Sequence, residues 1–204
     1  MTGFICIDKP ENMTSFTAAN LVKRITGSKK AGHTGTLDPM ATGVLTVALS
    51  GATRFIELIP DHEKSYTARI LLGVTTDTLD ITGTVTGSFP VSVTPCEAKE
   101  AALSFYGEQF QTPPMYSAVS KDGVRLYDLA RQGKESEREK RKINITEIRA
   151  YAFSDNEFSI DVTCSAGTYI RSLADDIGKK LGCGAVLKSL RRTRANGFST
   201  DWSV

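Results

Sequence analysis

An aspartate in a glycine-rich segment is the residue of this sequence best placed to do chemistry. Asp38 is followed directly by Pro39 and lies between Gly35 and Gly43. Glycine adopts backbone conformations closed to other residues and proline fixes the turn, so this pattern predicts a carboxylate presented on a constrained loop. An Asp-Pro pair also initiates ordinary turns, and the local pattern by itself favours that simpler interpretation.

The segment around Asp38 is long for a connection inside a compact chain. Residues 28–43 contain three glycines, a proline and no apolar period, which predicts a loop of sixteen residues. Loops of that length are uncommon unless they take part in function. This segment is therefore the first place to look for a site.

Regular elements before and after the loop must position it. Apolar residues at helical spacing follow Thr14 and Ser15, either of which can cap a helix, and Gly27 ends the run. Around this helix the sequence predicts strands over 3–7, 44–49 and 66–72 and a short helical stretch over 53–59.

The remaining two thirds of the chain continue with the same mixture of elements. Apolar and polar residues alternate from 157 to 164, which predicts a half-buried strand, and an apolar stripe from Ile170 to Leu181 predicts a helix that stops at Gly182. We also predict a turn-and-loop region over 76–87, helices over 97–106 and 124–131, and a strand over 142–153. Strands outnumber helices without regular alternation, which favours an α+β fold around a mostly antiparallel sheet.

Bulk charge does not point to a nucleic-acid partner. The 25 Lys and Arg residues against 23 Asp and Glu leave a net charge of +2, well below the balance typical of such domains. Basic residues are concentrated at 179–194, without any acid, and again at 138–142. The first run is a candidate phosphate-facing patch, although a solvated face explains runs of this length about half the time.

Cysteines and histidines are too dispersed to indicate a metal site. The four cysteines form no C-x-x-C pair and the two histidines, His33 and His62, lie far apart, so neither zinc nor a disulfide framework is predicted. No apolar stretch is long enough to span a bilayer, and the N-terminus lacks the pattern of a signal peptide. A reducing, cytoplasmic setting without a membrane is the simplest expectation.

The glycine-rich segment also carries a family resemblance. The string G-H-T-G-T-L-D-P-M-A-T-G-V-L, with I-D-K-P at 7–10, resembles the TruB family of tRNA pseudouridine synthases. Similar strings follow in the family's order over nearly the whole chain: K-S-Y-T-A-R-I-L-L-G, T-D-T-L-D-I-T-G, P-P-M-Y-S-A-V, L-Y-D-L-A-R-Q-G, C-S-A-G-T-Y-I-R-S-L and L-K-S-L-R-R.

The resemblance implies an activity and a substrate. Members isomerise the T-loop uridine of tRNA, position 55, to pseudouridine, and they do so without a cofactor or a metal. The implied fold is that of pseudouridine synthases, with a central sheet, flanking helices and loops forming an RNA-binding cleft. We therefore expect the T-arm stem-loop of tRNA as partner, a monomeric protein, and an RNA-contacting insertion at about 113–140.

The resemblance also implies catalytic residues. Asp38 matches the nucleophilic aspartate, Arg171 the arginine that pairs with it, and Tyr66 the tyrosine that stacks on the target uracil and is a candidate base for the late deprotonation. A carboxylate in a dry pocket has a raised pKa, which a bidentate guanidinium offsets. Spacing alone would instead favour an ordinary ion pair of Arg171 with Asp175, four residues on.

Further residues are implied to bind the substrate. His33 matches a histidine that helps to wedge open the RNA, Tyr169 and Leu190 match residues that line the nucleotide pocket together with Tyr66, and Lys9 matches a lysine of mainly structural role. A flipped base stacked on an aromatic ring gains roughly 1–3 kcal/mol, and extrusion is easiest from loops.

The sequence departs from the family in three places. Asn12 stands where glycine is usual, Ser120 stands where lysine is common, with Lys121 one residue later, and the chain stops at Val204, where bacterial members usually continue into a PUA domain that grips tRNA. Asn tolerates a left-handed backbone, so the first change is mild. The resemblance thus predicts a catalytic domain over 1–204 without a PUA domain, either as a natural short form or as a shortened one.

Two other functions remain open at the level of the sequence. One is a non-catalytic RNA-binding or RNA-folding module that uses the same residues. The other is a nucleosidase that releases free uracil, for which Asp77 or Asp80 would have to activate water. The chemical route of Asp38, attack on the sugar or assistance of elimination, also remains open.

Overall fold

The computed structural model describes residues 1–59, 63–117, 120–121, 123–133 and 136–203. Its helices and strands run in the order β1 (Gly3–Lys9), α1 (Ser15–Ile25), β2 (Ala31–His33), β3 (Thr42–Leu49), a 3-10 helix (Ser50–Leu58), β4 (Lys64–Leu72), β5 (Val74–Thr76), β6 (Val85–Ser88), α2 (Pro95–Leu103), β7 (Gly107–Gln111), β8 (Ser120–Lys121), β9 (Val124–Arg125), α3 (Leu126–Arg131), β10 (Arg141–Ser154), β11 (Glu157–Cys164), α4 (Ile170–Leu181), β12 (Ala185–Ala195), β13 (Phe198–Ser199) and a 3-10 helix (Thr200–Trp202).

The chain divides into two compact units. The first is formed by Met1–Thr67 together with Ser189–Val204, and the second by Ala68–Lys188. Strands β4 and β12 therefore each continue from one unit into the other along the chain.

Strand β3 is the centre of the first unit. It pairs antiparallel with β1 and with β2, and parallel with β12 through Arg191↔Thr42 and Arg192↔Gly43. Helix α1 contacts β2 and β3, and it begins where Thr14 accepts a hydrogen bond from the Thr17 amide, as a Ser/Thr cap does. The core under this helix consists of buried small and aliphatic side chains: Ala18, Ala19, Leu45, Val47 and Leu49.

In the second unit the strand order is β4-β11-β10-β7. The β10–β11 and β10–β7 pairs are antiparallel, and α2 packs against β10 and α4. Strand β11 buries every second residue, as the alternation predicts, and α4 ends at Gly182, whose φ of 75° lies in the left-handed region. Two small hairpins, β5–β6 and β8–β9, complete this unit.

The predicted α+β fold with a mixed, mostly antiparallel sheet is confirmed, because only the pairing of β12 with β3 is parallel among the strand pairs described above. No helix in the described part of the chain is long and apolar enough to cross a membrane. Part of the predicted 113–140 insertion and His62 lie outside the described residues; the described part of the insertion contains β8, β9 and α3.

Several predicted elements were wrong. The loop over 28–43 contains β2, a three-residue edge strand too short to show an alternating pattern. The loop over 76–87 contains the end of β5 and most of β6, because a hairpin rich in Thr and Gly resembles a turn in composition. The predicted stripe of α1 is only partly buried, since Leu21 and Ile25 are 36% and 75% exposed. Strand β12 was missed because its basic residues suggested a surface patch.

Candidate active site

The aspartate loop, residues 34–41, connects β2 to β3. Asp38 is half-buried, and its carbonyl accepts a hydrogen bond from the Ala41 amide at 3.0 Å. The turn predicted from Asp38-Pro39 is thus present. What the sequence pattern did not reveal is how many side chains fasten this turn from other parts of the first unit.

Lys9, at the end of β1, is one fastening. Its side chain is fully buried, and its Nζ donates to the carbonyls of Pro10 and Met13, both at 2.7 Å, and of Pro39 at 3.3 Å. Burial lowers the pKa of Lys9, while the nearby Asp38 carboxylate acts in the opposite direction. Lys9 therefore ties the N-terminal segment to the loop and lies within electrostatic reach of the proposed catalytic carboxylate.

The start of α1 and the turn before it provide two more fastenings. The buried Ser15 Oγ donates to the Leu37 carbonyl at 3.0 Å and accepts from the Leu37 amide at 2.8 Å. The Asn12 amide donates to the Pro39 carbonyl at 2.8 Å. Asn12 has a φ of 61°, so the asparagine adopts the left-handed backbone that the family's usual glycine would allow.

Arg192, on β12, binds the start of the loop and strand β3 just beyond the loop's end. Its Nε donates to the Val44 carbonyl at 2.8 Å and its Nη2 to the Gly35 carbonyl at 3.1 Å. The residue is only 1% exposed. The prediction of a phosphate-facing patch over 179–194 was therefore wrong for Arg192, whose guanidinium binds backbone carbonyls inside the protein.

Other basic residues of that run are engaged in ion pairs at the surface. Lys179 pairs with Asp175 at 2.6 Å, Lys188 pairs with Glu157, and Arg191 pairs with Asp8 at 2.5 Å. Glu157 also accepts from Arg69 at 2.7 Å. The basic residues of the run lie on α4 and β12, and these three pair with carboxylates of the protein.

His33 lies on β2 opposite Val47, rather than in an exposed turn. Its Nδ1 is buried and has no hydrogen-bond partner among the described residues. Burial, and then the charge of Arg192, lower the pKa of His33. Both effects favour the neutral form of the ring over the charged one.

Two further predicted residues belong to the first unit. Tyr66 is 7% exposed on β4, on the face that it shares with Ala68, Ile70 and Leu72. Leu190 is likewise 7% exposed, on β12. Both side chains are nearly fully buried. An exposed edge is enough for a buried side chain to contact a base.

Arg171, in the first turn of α4, is the centre of a cluster in the second unit. Its Nη1 donates to the Thr78 carbonyl at 3.0 Å, its Nη2 donates to the Tyr116 carbonyl at 2.9 Å, and its Nε lies 3.9 Å from Asp80 Oδ2. Arg171 and Asp80 are 5% and 4% exposed. The helical neighbour Asp175, which spacing alone favoured as its partner, pairs with Lys179.

The threonine loop, residues 76–82, is built around Asp80. One carboxylate oxygen, Oδ1, accepts from the Thr78 hydroxyl at 2.9 Å and from the amide and hydroxyl of Thr82 at 2.9 and 2.5 Å. The Asp80 carbonyl accepts from the Thr76 hydroxyl at 2.7 Å. A carboxylate engaged in this way holds its own loop in shape.

Gln111 is a residue of the second unit that sequence reasoning missed. Its side-chain oxygen accepts from the Tyr169 amide at 2.8 Å, and its side-chain nitrogen donates to the Tyr169 carbonyl at 3.1 Å. This buried amide fixes the residue that precedes α4. No local pattern in the sequence signals the pairing, because 58 positions separate the two residues.

The predicted site residues thus fall into two groups. Lys9, His33, Asp38, Tyr66 and Leu190 belong to the first unit, and Tyr169 and Arg171 to the second. Within the first unit the structure brings Lys9 to the aspartate loop. Among the described residues there is no group of three or more His, Cys, Asp or Glu that could hold a metal ion.

Comparison with known families decides the assignment. The family model described as "TruB family pseudouridylate synthase (N terminal domain)" matches residues 23–170. The chain belongs to the TruB family. The model of the tRNA pseudouridylate synthase B C-terminal domain matches the following residues, 171–204.

TruB relatives cover the full chain. The tRNA pseudouridine synthase B of Azoarcus sp. (strain BH72) is 50% identical over 99% of this chain and 67% of its own length. The protein of the same name from Clostridium tetani (strain Massachusetts / E88) is 47% identical over 100% of this chain and 71% of its own length.

A solved structure extends the TruB comparison. In the structure entitled "Crystal Structure of a Cbf5-Nop10-Gar1 Complex", the matching chain is 33% identical, with a TM-score of 0.73 over 95% of this chain. The present chain spans 48% of the length of that solved chain. The confirmed TruB membership places the aspartate loop in a family of pseudouridylate synthases.

Proposed function

We propose that this chain isomerises the uridine at position 55 in the T-loop of tRNA to pseudouridine, with Asp38 as the catalytic carboxylate. Membership of the TruB family and the names of the relatives support the reaction and the substrate. The observation that carries the assignment to Asp38 is the aspartate loop itself. Buried cations and a buried hydroxyl converge on the backbone around this one carboxylate, which is more than an ordinary surface turn requires.

The reaction needs only groups that a protein supplies. The bond between ribose C1′ and uracil N1 breaks, the uracil turns while bound, and C1′ joins C5. The proton on C5 leaves to a base and N1 is protonated, so the redox state does not change. Asp38 serves either as nucleophile at the ribose or as the base that assists elimination.

Ionisation of Asp38 is central to both routes. Lys9 supplies a positive charge within electrostatic reach, which favours the charged carboxylate. We propose that Arg171 serves the same end, as the family resemblance implies, and that Asp80 holds the guanidinium in orientation. The nearly complete burial of both residues supports this assignment, since a buried ion pair is kept where geometry matters.

The remaining residues are proposed to receive the flipped base. The ring of His33 fills the space that the uridine leaves, Tyr66 stacks on the uracil and accepts the C5 proton, and Leu190 and Tyr169 line the pocket. Stacking of this kind contributes roughly 1–3 kcal/mol, which offsets the few kcal/mol required to extrude a base from a loop.

We further propose that residues 1–204 act as a monomeric catalytic domain and that the insertion at about 113–140 contacts the T-arm. Its Pro-Pro start and mixed charge support ordering on contact with RNA. Hydrogen exchange with and without a T-arm hairpin tests this. Unchanged protection throughout 113–140 would contradict it.

The function is tested by tritium release from T-arm RNA labelled at uracil C5, because this proton is lost only when the carbon-linked nucleoside forms. We expect release by the wild-type chain and none by Asp38→Asn, with the affinity for the hairpin unchanged. Full turnover by the variant would exclude Asp38 as the catalytic group. Binding without release by the wild-type chain would indicate an RNA-binding module, and free uracil in the supernatant a nucleosidase.

A further inference from the structure

Arg192 is a buried cation that the proposed chemistry does not use. Its guanidinium donates to carbonyls on both sides of Asp38, those of Gly35 and Val44. These two acceptors precede and follow the turn that carries the carboxylate. Since a guanidinium is planar and rigid, one group that binds both carbonyls fixes the separation between the start of the loop and the strand that follows it.

The backbone of Arg192 also touches the loop's exit. Arg192 is aligned with Gly43 in the parallel pairing of β12 with β3. A Cβ added to Gly43 would lie 2.1 Å from the Arg192 carbonyl oxygen, so nothing larger than glycine fits there. With 1% of its surface exposed, Arg192 cannot serve as a phosphate contact, and its role must lie inside the protein.

Ser15 fixes the middle of the same loop. Its hydroxyl binds both the amide and the carbonyl of Leu37, the residue before Asp38. The hydroxyl is buried, so water does not replace these bonds. The backbone that carries the carboxylate is therefore fixed by Ser15 at the residue before Asp38 and by Arg192 at Gly35 and Val44.

The use of a cation at position 192 is itself informative. A neutral amide could satisfy two carbonyls without the free energy needed to bury a guanidinium. A second buried cation, Lys9, donates to the same loop, and its electrostatic partners include both Arg192, which opposes its charge, and Asp38, which favours it. Two buried positive charges at one loop are balanced best by an ionised carboxylate on that loop.

We infer that Arg192, together with Ser15, is a positioning residue that holds the Asp38 carboxylate in the orientation the reaction needs. This inference rests on the proposed function. A displacement of about 1 Å between reacting groups lowers rates by about 100-fold. Loosening either fastening should therefore slow the chemical step while leaving the affinity for RNA intact.

The test compares Arg192→Lys and Ser15→Ala with the wild-type chain. Lysine keeps the charge at 192 but cannot bind both carbonyls in the same geometry. Arg54→Lys is the matched control, because Arg54 is an exposed arginine of the same unit. For each protein the free energy of unfolding, the dissociation constant for a T-arm hairpin and the single-turnover rate of tritium release are measured, and rates are expressed per folded molecule.

We expect single-turnover rates reduced about 10- to 100-fold in Arg192→Lys and Ser15→Ala, with unchanged dissociation constants. The rate of the control, Arg54→Lys, should equal that of the wild-type chain. Lower stability with an unchanged rate per folded molecule would overturn the inference and leave a purely structural role. Should Arg192→Lys fail to fold, Ser15→Ala decides by the same criterion. Absence of tritium release from the wild-type chain would instead refute the proposed function.

Discussion

The aspartate loop and the threonine loop differ in how much of their support is local: each accepts a bond from a distant buried arginine, and only the threonine loop is also organised around a carboxylate of its own. In the aspartate loop, side chains from distant segments donate to backbone carbonyls: Lys9 from β1, Ser15 from α1 and Arg192 from β12. In the threonine loop, Asp80 accepts from threonines no more than four positions away. The side-chain bonds to the first loop thus come from distant segments, whereas the second combines local bonds to Asp80 with distant ones, from Arg171 to the Thr78 carbonyl and between Leu187 and the backbone of Leu79 and Ile81.

This difference matters for robustness. A loop fixed by its neighbours in sequence can keep its shape through small changes of the surrounding sheet. In a loop fixed from three distant elements, any shift of those elements displaces the residue that the loop carries. The predicted catalytic carboxylate is carried by the loop that distant elements hold. Its placement and the stability of the first unit should therefore change together.

Alanine at two glycines gives the largest expected contrast. At Gly43 a Cβ would lie 2.1 Å from a backbone oxygen, at a φ of 102° that disfavours alanine. At Gly83 the nearest atoms are side-chain oxygens of Thr78 and Asp77, at 2.3 and 2.4 Å, which can move. We expect Gly43→Ala to destabilise the protein by about 3 kcal/mol or more and Gly83→Ala by about 1 kcal/mol, measured by chemical denaturation. Equal effects would contradict the contrast.

Removal of one charged side chain that holds each loop sharpens the contrast between the two loops. Lys9→Met leaves three carbonyls, of Pro10, Met13 and Pro39, without their Nζ donor, whereas Asp80→Asn keeps an oxygen acceptor for Thr78 and Thr82. We expect losses of about 2–3 kcal/mol for the first and about 1 kcal/mol for the second. Thermal denaturation followed by circular dichroism measures both. A larger loss for Asp80→Asn would show that its ion pair with Arg171 outweighs the hydrogen bonds.

The smallest effect concerns pH. Burial and Arg192 hold the pKa of folded His33 below its ordinary value of 6.5. As the pH falls through 6.5, the unfolded chain therefore binds this proton before the folded chain does, and the free energy of unfolding decreases. We expect His33→Gln to weaken this decrease between pH 7.5 and 5.5 in denaturation experiments. An identical pH dependence in the variant would show that His33 titrates normally.

The sequence predicted those parts of the fold that local patterns determine. A helix cap at Thr14 or Ser15, which the structure assigns to Thr14, the alternation in β11 and the stop of α4 at Gly182 all depend on residues close together in the chain, and all are confirmed. The same reasoning missed β2 and the β5–β6 hairpin, because strands of three or four residues are shorter than the pattern that would reveal them.

The supports of the candidate site could not be predicted in this way. The basic residues of 179–194 looked alike in the sequence, yet Arg192 is buried and Arg191 is 41% exposed in an ion pair with Asp8. One is buried and the other exposed because both lie on β12, where neighbouring side chains point to opposite faces of the sheet. Gln111 was missed for the same reason, since only the fold brings it to Tyr169.

The long span of the aspartate loop's contacts has a consequence for synthesis of the protein. The Gly35 carbonyl accepts a hydrogen bond from Arg192, which follows it by 157 positions, and Thr34 hydrogen-bonds to Asn196, 162 positions later. A nascent chain emerging from the ribosome therefore exposes its proposed catalytic segment long before the strand that sets it has been translated. Contacts of such separation form slowly, so the aspartate loop acquires its working form only after β12 has been made.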